Sequence, residues 1–324
     1  MKIIIPAAGT GTRLRPHTYS QPKPLLHIAG KPMLGHVMDP VRDLHPHEYI
    51  FVIGYKGDHI RRYVATLDSV KARFVQQDNL LGLGYAVKLA LDEIDGGPVV
   101  VLLSDTIVDC DLKAFTNAGE NVIGVRAVDD PTRFGVAEIV DGNVVRLEEK
   151  PGEPRSNLAV IGLYYVQDCT ALKKALNDLV ASGKTTRGEI QLTDALAVMI
   201  ENGIKFRPFE VSGWYDAGKK ETMLQTNEIL VRKMGPTQPR EGSVLIDPVY
   251  VAPDATVTNC VLGPNVSVSS GTEIKNSIIS NCIIGSNCRL DRVMLDDSLV
   301  GNSVTMVGRS RVVSAGDFSH WENT

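Results

Sequence analysis

The chain has 324 residues, 43% of them hydrophobic and 22% charged, with a formal net charge of −4. That composition is globular, long enough for two cores, and its acidic balance argues against a general affinity for nucleic acid or anionic membrane. No apolar run approaches the ~18 residues of a membrane-spanning helix. The five cysteines, at 110, 169, 260, 282 and 288, lack metal-ligand spacing, so a reduced, cytoplasmic setting is expected.

The chain starts directly with a strand, Ile3-Ile4-Ile5, closed by Pro6; this reads as structure rather than a signal peptide. Ala7-Ala8-Gly9-Thr10-Gly11-Thr12-Arg13-Leu14 follows, then Gln21-Pro22-Lys23-Pro24. Small residues after a buried strand let backbone N–H groups close on an anion, and Arg13 and Lys23 add fixed positive charge. The pattern predicts a polyphosphate cradle. It is neither a Walker loop, which needs Gly-Lys-Ser/Thr, nor a dinucleotide fingerprint, whose third glycine is Leu14 here.

From residue 1 to about 235, short apolar runs alternate with helix-like segments, which predicts an α/β fold. Strands are expected at 49–53, 72–76 and 99–103 and helices at 33–44, 58–67 and 85–94, with Pro40 kinking or shortening the first. Strands at 122–128, 136–140, 144–147 and 158–166 point to a more mixed sheet. Helices at 170–181, 190–201 and 219–232 precede a break at Gly235-Pro236-Thr237-Gln238-Pro239, the expected boundary between domains 1–235 and 236–324.

Beyond the break, aliphatic residues fall at 245, 251, 257, 262, 268, 274, 279, 284, 290, 295, 300, 306 and 312. The intervals are six or five, matching neither helix nor plain strand, and they predict a hexad solenoid of about four three-sided coils. Cys282 and Cys288 sit two residues before Ile284 and Leu290, and read as packing residues. The only histidine past residue 59 is His320. Acyl transfer on such a solenoid needs a histidine base and more coils, so assembly or regulation is the expected role.

Two aspartates stand in settings suited to a divalent metal. Asp105 follows the apolar run 99–103, at the carboxyl end of a strand where ligands sit in open α/β sheets. Asp216 lies in Gly213-Trp214-Tyr215-Asp216-Ala217-Gly218. One or two carboxylates plus phosphate oxygens and water suit Mg²⁺.

Gly-x-Gly-Thr-Arg-Leu with a following Pro-Lys resembles the signature of the sugar-1-phosphate nucleotidyltransferases, and the resemblance runs in order through residues 2–232. It implies a Rossmann-like mixed sheet, and the hexads resemble the left-handed parallel β-helix of the family's long forms. It implies Mg²⁺-dependent attack of a sugar-1-phosphate on the α-phosphate of a nucleoside triphosphate, with Arg13 and Lys23 catalytic and Asp105 and Asp216 on the metal. Ala8, Gly9, Gly11, Thr12, Gln77 and Gly82 would bind the nucleotide. Gly135, Glu149, Lys150, Val160 and Arg187 would bind the sugar phosphate, from stretches such as Arg133-Phe134-Gly135 and Glu148-Glu149-Lys150-Pro151.

The overall pattern is nearest the glucose-1-phosphate thymidylyltransferases. Pro6-Ala7-Ala8-Gly9 and Gly82-Leu83-Gly84-Tyr85 look more like uridylyltransferases, and Leu81 stands where thymidylyl members often carry an acid, so dTTP and UTP both stay open. A mannose-1-phosphate guanylyltransferase and a non-catalytic regulatory subunit are the alternatives. The exposed edge and flat faces of a β-helix suggest a homo-oligomer.

Overall fold

The computed structural model describes residues 1–308. Val312, the last hexad position, and His320 lie outside them. The chain forms two compact units: residues 1–27 with 31–226, and residues 28–30 with 227 onward.

In the first unit the elements are β1 (Lys2–Ala7), α1 (Met33–Arg42), β2 (Glu48–Ile53), α2 (Gly57–Val64), β3 (Ala72–Gln76), α3 (Leu83–Asp92), β4 (Val99–Leu102) and β5 (Thr106–Asp109). Then come α4 (Leu112–Thr116), β6 (Asn121–Ala127), β7 (Gly135–Val140), β8 (Asn143–Glu149), β9 (Leu158–Val166), α5 (Cys169–Ser182), α6 (Leu192–Glu201), β10 (Phe206–Glu210) and β11 (Gly213–Asp216). Helix α7 (Lys220–Lys233) follows, and the division between the units falls within it, after Thr226. Pro40 lies inside α1, which stops at Arg42, two residues short of the expected end. Proline offers no N–H to the helix ladder.

Nine strands form one mixed sheet in the order β8-β7-β9-β4-β1-β2-β3, with β6 paired to β9 and β10 to β6. The half around β1 is parallel, β1 lying between β2 and β4, whereas β9 runs antiparallel to β4, β6 and β7 and β10 parallel to β6. Ile4, Ile50, Val52, Val99 and Val101 pack into a core with α3, α5 and α6. By the pleat, Ile3, Ile5 and Phe51 face the other side, and they too are buried. A sheet covered on both faces leaves only strand ends accessible, and the carboxyl ends of β1, β3 and β4 all open the same way because these strands run parallel.

The second unit is a parallel β-helix. Three four-stranded parallel sheets supply its sides, and the registers superpose the hexad residues: Leu262 on Ile279 on Leu295, Val268 on Ile284 on Val300, Ile274 on Leu290 on Met306. Leu262, Val268, Ile274, Ile279, Ile284 and Leu290 are wholly buried. Cys282 and Cys288 are buried in the same core, as the packing reading anticipates. Asparagines turn the corners with left-handed backbone, including Asn265 (φ 63°) and Asn281 (φ 47°). They also ladder between coils: Asn265 donates to Asn281 at 2.9 Å, and Asn281 to Asp296 at 3.1 Å. Asparagine tolerates that backbone better than other side chains, so one residue type supplies both the turn and the stacking bond.

Candidate active site

Strand β1 ends at Ala7, and the chain runs through Ala8, Gly9 and Thr10 to Gly11, whose φ is 64°. A Cβ at Gly11 would come 2.9 Å from both Lys23 Cβ and Thr18 Cγ2, so the loop closes against the Pro22-Lys23-Pro24 segment only because that residue is glycine. Thr18 Oγ1 fixes the turn by donating to the Gly11 carbonyl at 3.0 Å. A Cβ at Gly9 would meet nothing within 4 Å: this is the open side of the loop. Thr12 and Arg13 are exposed on a short turn of 3-10 helix anchored by buried Leu14.

The loop forms one wall of a cavity of about 400 Å³. Ala8, Gly9, Gly11, Lys23, Gln77, Gly82 and Asp105 all line it, so most of the expected nucleotide-binding residues and one expected metal ligand meet there. Gln77, just past β3, is buried, and its side-chain amide donates to the Asn79 carbonyl at 3.1 Å. That leaves the side-chain oxygen as its acceptor. Gly82 opens α3 with φ 110°, and a Cβ there would lie 2.6 Å from the Ile190 carbonyl oxygen.

Asp105 and Asp216 are 111 residues apart in sequence but meet through a two-stranded ribbon. β11 pairs antiparallel with β5 so that Asp216 stands opposite Thr106, the neighbour of Asp105. Lys23 forms an ion pair with Asp105. Burial pushes the Asp216 carboxyl above the ordinary aspartate range, and the charge of Asp105 pushes the same way. Lys23, the Gly218 backbone and Arg133 pull it back. These contacts offset the desolvation only in part, and a hard divalent cation with phosphate and water ligands would complete the compensation. The donor set therefore fits Mg²⁺. Among the described residues no cluster of three or more His, Cys, Asp or Glu offers a competing all-protein metal cage.

The expected sugar-phosphate residues form a second group. Glu149, at the end of β8, accepts from Thr193 Oγ1 at 2.8 Å and pairs with Lys150 at 3.1 Å. A Cβ on Gly135 would come within 3.1 Å of both Glu149 Oε2 and Thr193 Oγ1, so the glycine keeps this corner clear. Arg187 donates to the Lys150 carbonyl at 2.8 Å. Val160 is buried in β9. Arg13 and these five residues do not line the 400 Å³ cavity. The segment 186–191 joins the two groups: it carries Arg187, and its Ile190 exchanges backbone hydrogen bonds with the loop leading into α3, donating to Leu81 at 2.7 Å and accepting from Gly84 at 2.8 Å.

Four residues escape sequence reasoning. Ser104 and Glu189 line the cavity, Thr193 holds Glu149, and Gly162 (φ 80°) makes room for the turn carrying Asp105. A Cβ on Gly162 would overlap Leu103 and come 3.1 Å from Thr106 Oγ1. The one available signal was Glu189 within Arg187-Gly188-Glu189-Ile190, where attention fell on the arginine.

Comparison with known proteins shows the family. The profile described as "Nucleotidyl transferase" matches residues 2–233, and that described as "GlmU-like, C-terminal hexapeptide" matches residues 237–323. The chain therefore belongs to the nucleotidyl transferase family, in its form with a C-terminal left-handed β-helix of hexapeptide repeats. It is similar to a glucose-1-phosphate thymidylyltransferase of Streptomyces griseus, 31% identical over 96% of this chain and 90% of the relative. It is also similar to a bifunctional protein GlmU of Methanococcus vannielii, 33% identical over 89% of this chain and 78% of that one. Among solved structures, a putative glucose-1-phosphate thymidylyltransferase from Bacillus anthracis superposes with a TM-score of 0.62 at 31% identity, covering 74% of this chain and 98% of the other. A UDP-glucose pyrophosphorylase complexed with UDP-glucose gives 0.64 at 23% identity, over 72% and 98% of the two chains, and shares the fold.

Proposed function

We propose that the protein transfers a nucleoside monophosphate from a pyrimidine nucleoside triphosphate, dTTP or UTP, to glucose-1-phosphate or a close relative, releasing pyrophosphate. The observation that carries this reading is the β5–β11 register, which sets Asp216 beside the turn carrying Asp105, itself part of the cavity wall that the glycine turn shares. The relatives support it: they are named for thymidylyl transfer and for GlmU, and the base stays open between the two pyrimidines.

Both substrates are anions, so the protein's work is to align them and offset charge. The Ala8–Gly11 backbone cradles the triphosphate, and Lys23 and Arg13 neutralise it. Gln77 presents its side-chain oxygen to a base N–H, and the Gly82 backbone is the second base contact. Glu149 accepts from sugar hydroxyls, with Lys150 and Arg187 on the sugar phosphate, Gly135 leaving room and Val160 packing beneath. Asp105 and Asp216 would hold Mg²⁺, which when bound polarises the phosphates and steadies the leaving pyrophosphate. No covalent intermediate on the protein is required.

Pyrophosphate release measured with dTTP, UTP, GTP, CTP and ATP against several sugar-1-phosphates tests the reading. Turnover confined to the two pyrimidines supports it. Preference for GTP with mannose-1-phosphate would make the protein a guanylyltransferase, and nucleotide-sugar binding without turnover would make it a regulatory subunit.

We infer further that the β-helix serves self-association. The outward residues of one of its sides, Val244, Val261, Ile278 and Met294, stack in register, and three of them are half or more exposed, Met294 at 79%. A second copy of this chain is the occupant that such a repeating apolar row fits. Light scattering on Met294→Glu would show a lower mass than wild type if so. Among the described residues no helix is long and apolar enough to cross a membrane.

A further inference from the structure

One charged side chain of the cavity has no part in the chemistry above. Glu189 lines the cavity wall and is exposed. A carboxylate among the oxygens of a bound triphosphate would meet like charge, so its place relative to the phosphate cradle matters. The backbone fixes that place. Ile190 is bonded to Leu81 and Gly84, and a Cβ on Gly82 would lie 2.8 Å from Glu189 Cβ. Glu189 thus stands against the base-reading loop. Its carboxylate is also oriented: Gln191, itself buried, donates its side-chain amide to Glu189 Oε2 at 3.2 Å and to the Thr186 carbonyl at 3.4 Å.

An ionised carboxylate only accepts hydrogen bonds. Away from its phosphates, a nucleotide offers it base N–H groups and sugar hydroxyls, and in the reading above the Gln77 oxygen takes the former. We propose that Glu189 accepts hydrogen bonds from the pentose hydroxyls of the bound nucleoside triphosphate and so sets how strictly the sugar is read. This rests on the nucleotidyl-transfer reading and deepens it. Because Glu189 shares the 186–191 segment with Arg187, the same contact would tie nucleotide binding to the arm that reaches the sugar phosphate.

The test compares kcat/KM for UTP, 2′-deoxy-UTP and 3′-deoxy-UTP (or dTTP and its 3′-deoxy form, if only dTTP turns over) in wild type, Glu189→Ala and Glu189→Gln. Wild type should disfavour at least one deoxy form by about ten- to a hundred-fold, the scale of a hydrogen bond to a charged group. Glu189→Ala should bring that ratio close to one, and Glu189→Gln, which keeps an acceptor and the side-chain volume, should fall between. A residue that merely supports the loop would lower all three rates together and leave the ratio unchanged; that result overturns the inference, as does a wild type that ignores the deoxy forms. Absence of turnover with every triphosphate would instead overturn the transferase reading, and this inference with it.

Discussion

The two units use glycine, asparagine and aspartate for opposite ends. In the β-helix the same corner recurs every 16 or 17 residues, and corner side chains bond from coil to coil, as Asn265 does to Asn281 and Asn281 to Asp296. In the first unit every special residue is used once. Gly11 admits Lys23, Gly82 admits Ile190, and Gly162 admits the turn that carries Asp105. Repetition spreads stability evenly along a core of interchangeable aliphatic residues. The single-use positions gather at one end of a sheet and set a buried carboxylate, Asp216, beside a second one, Asp105, with only partial compensation from the protein. The difference separates a part built to persist from a part built to bind.

The sharpest way to divide the units is Asp105→Asn. Turnover should fall by roughly two to three orders of magnitude, since loss of a single electrostatic contact to reacting groups costs about that much. Thermal stability should hardly move, because the Lys23 pair is partly exposed and such pairs contribute little. Ile274→Ala reverses the pattern. Ile274 is wholly buried in the solenoid, and its truncation should cost about 2–5 kcal/mol in denaturant unfolding, while kcat at low temperature stays near wild type.

Gly82→Ala falls between these two. Its φ of 110° and the approach of the Ile190 carbonyl leave no room for a methyl group, so the loop leading into α3 must shift. A rise of about ten-fold in KM for the triphosphate is expected, with a smaller change in kcat. The mildest is Asn281→Ala, which puts alanine at φ 47° and breaks the ladder on both sides. It should lower solenoid stability by about 1–2 kcal/mol, and Asn281→Gly by less, because glycine keeps the backbone conformation though not the bonds.

The same contrast governs what could be read from the sequence. The hexads announce the β-helix because each aliphatic position repeats the message. The opening loop is nearly as plain, since its strand, glycines and cations are contiguous. The ribbon that unites Asp105 with Asp216 is not: β5 and β11 are four residues each and their pairing spans more than a hundred residues, a relation no local pattern encodes. β10 is hidden for another reason. Pro208 interrupts its sequence, yet β10 pairs only with β6, and an edge strand tolerates a residue without an N–H. Thr193 and Glu189 are ordinary surface-type residues until their neighbours are known. The packing division at Thr226, within α7, depends on long-range contacts that no local pattern encodes, whereas the glycine-proline break is local and falls between the two family matches.

In the proposed mechanism Asp105 and Asp216 share one cation with the triphosphate held by the glycine turn. The direct measurement is Mn²⁺ binding, followed by electron paramagnetic resonance, to wild type, Asp105→Asn and Asp216→Asn in the presence of a non-hydrolysable UTP or dTTP analogue. Wild type should bind the ion in a nucleotide-dependent way, and each variant should bind at least ten-fold more weakly than wild type. Equal affinity in all three proteins, with the nucleotide bound, would contradict it.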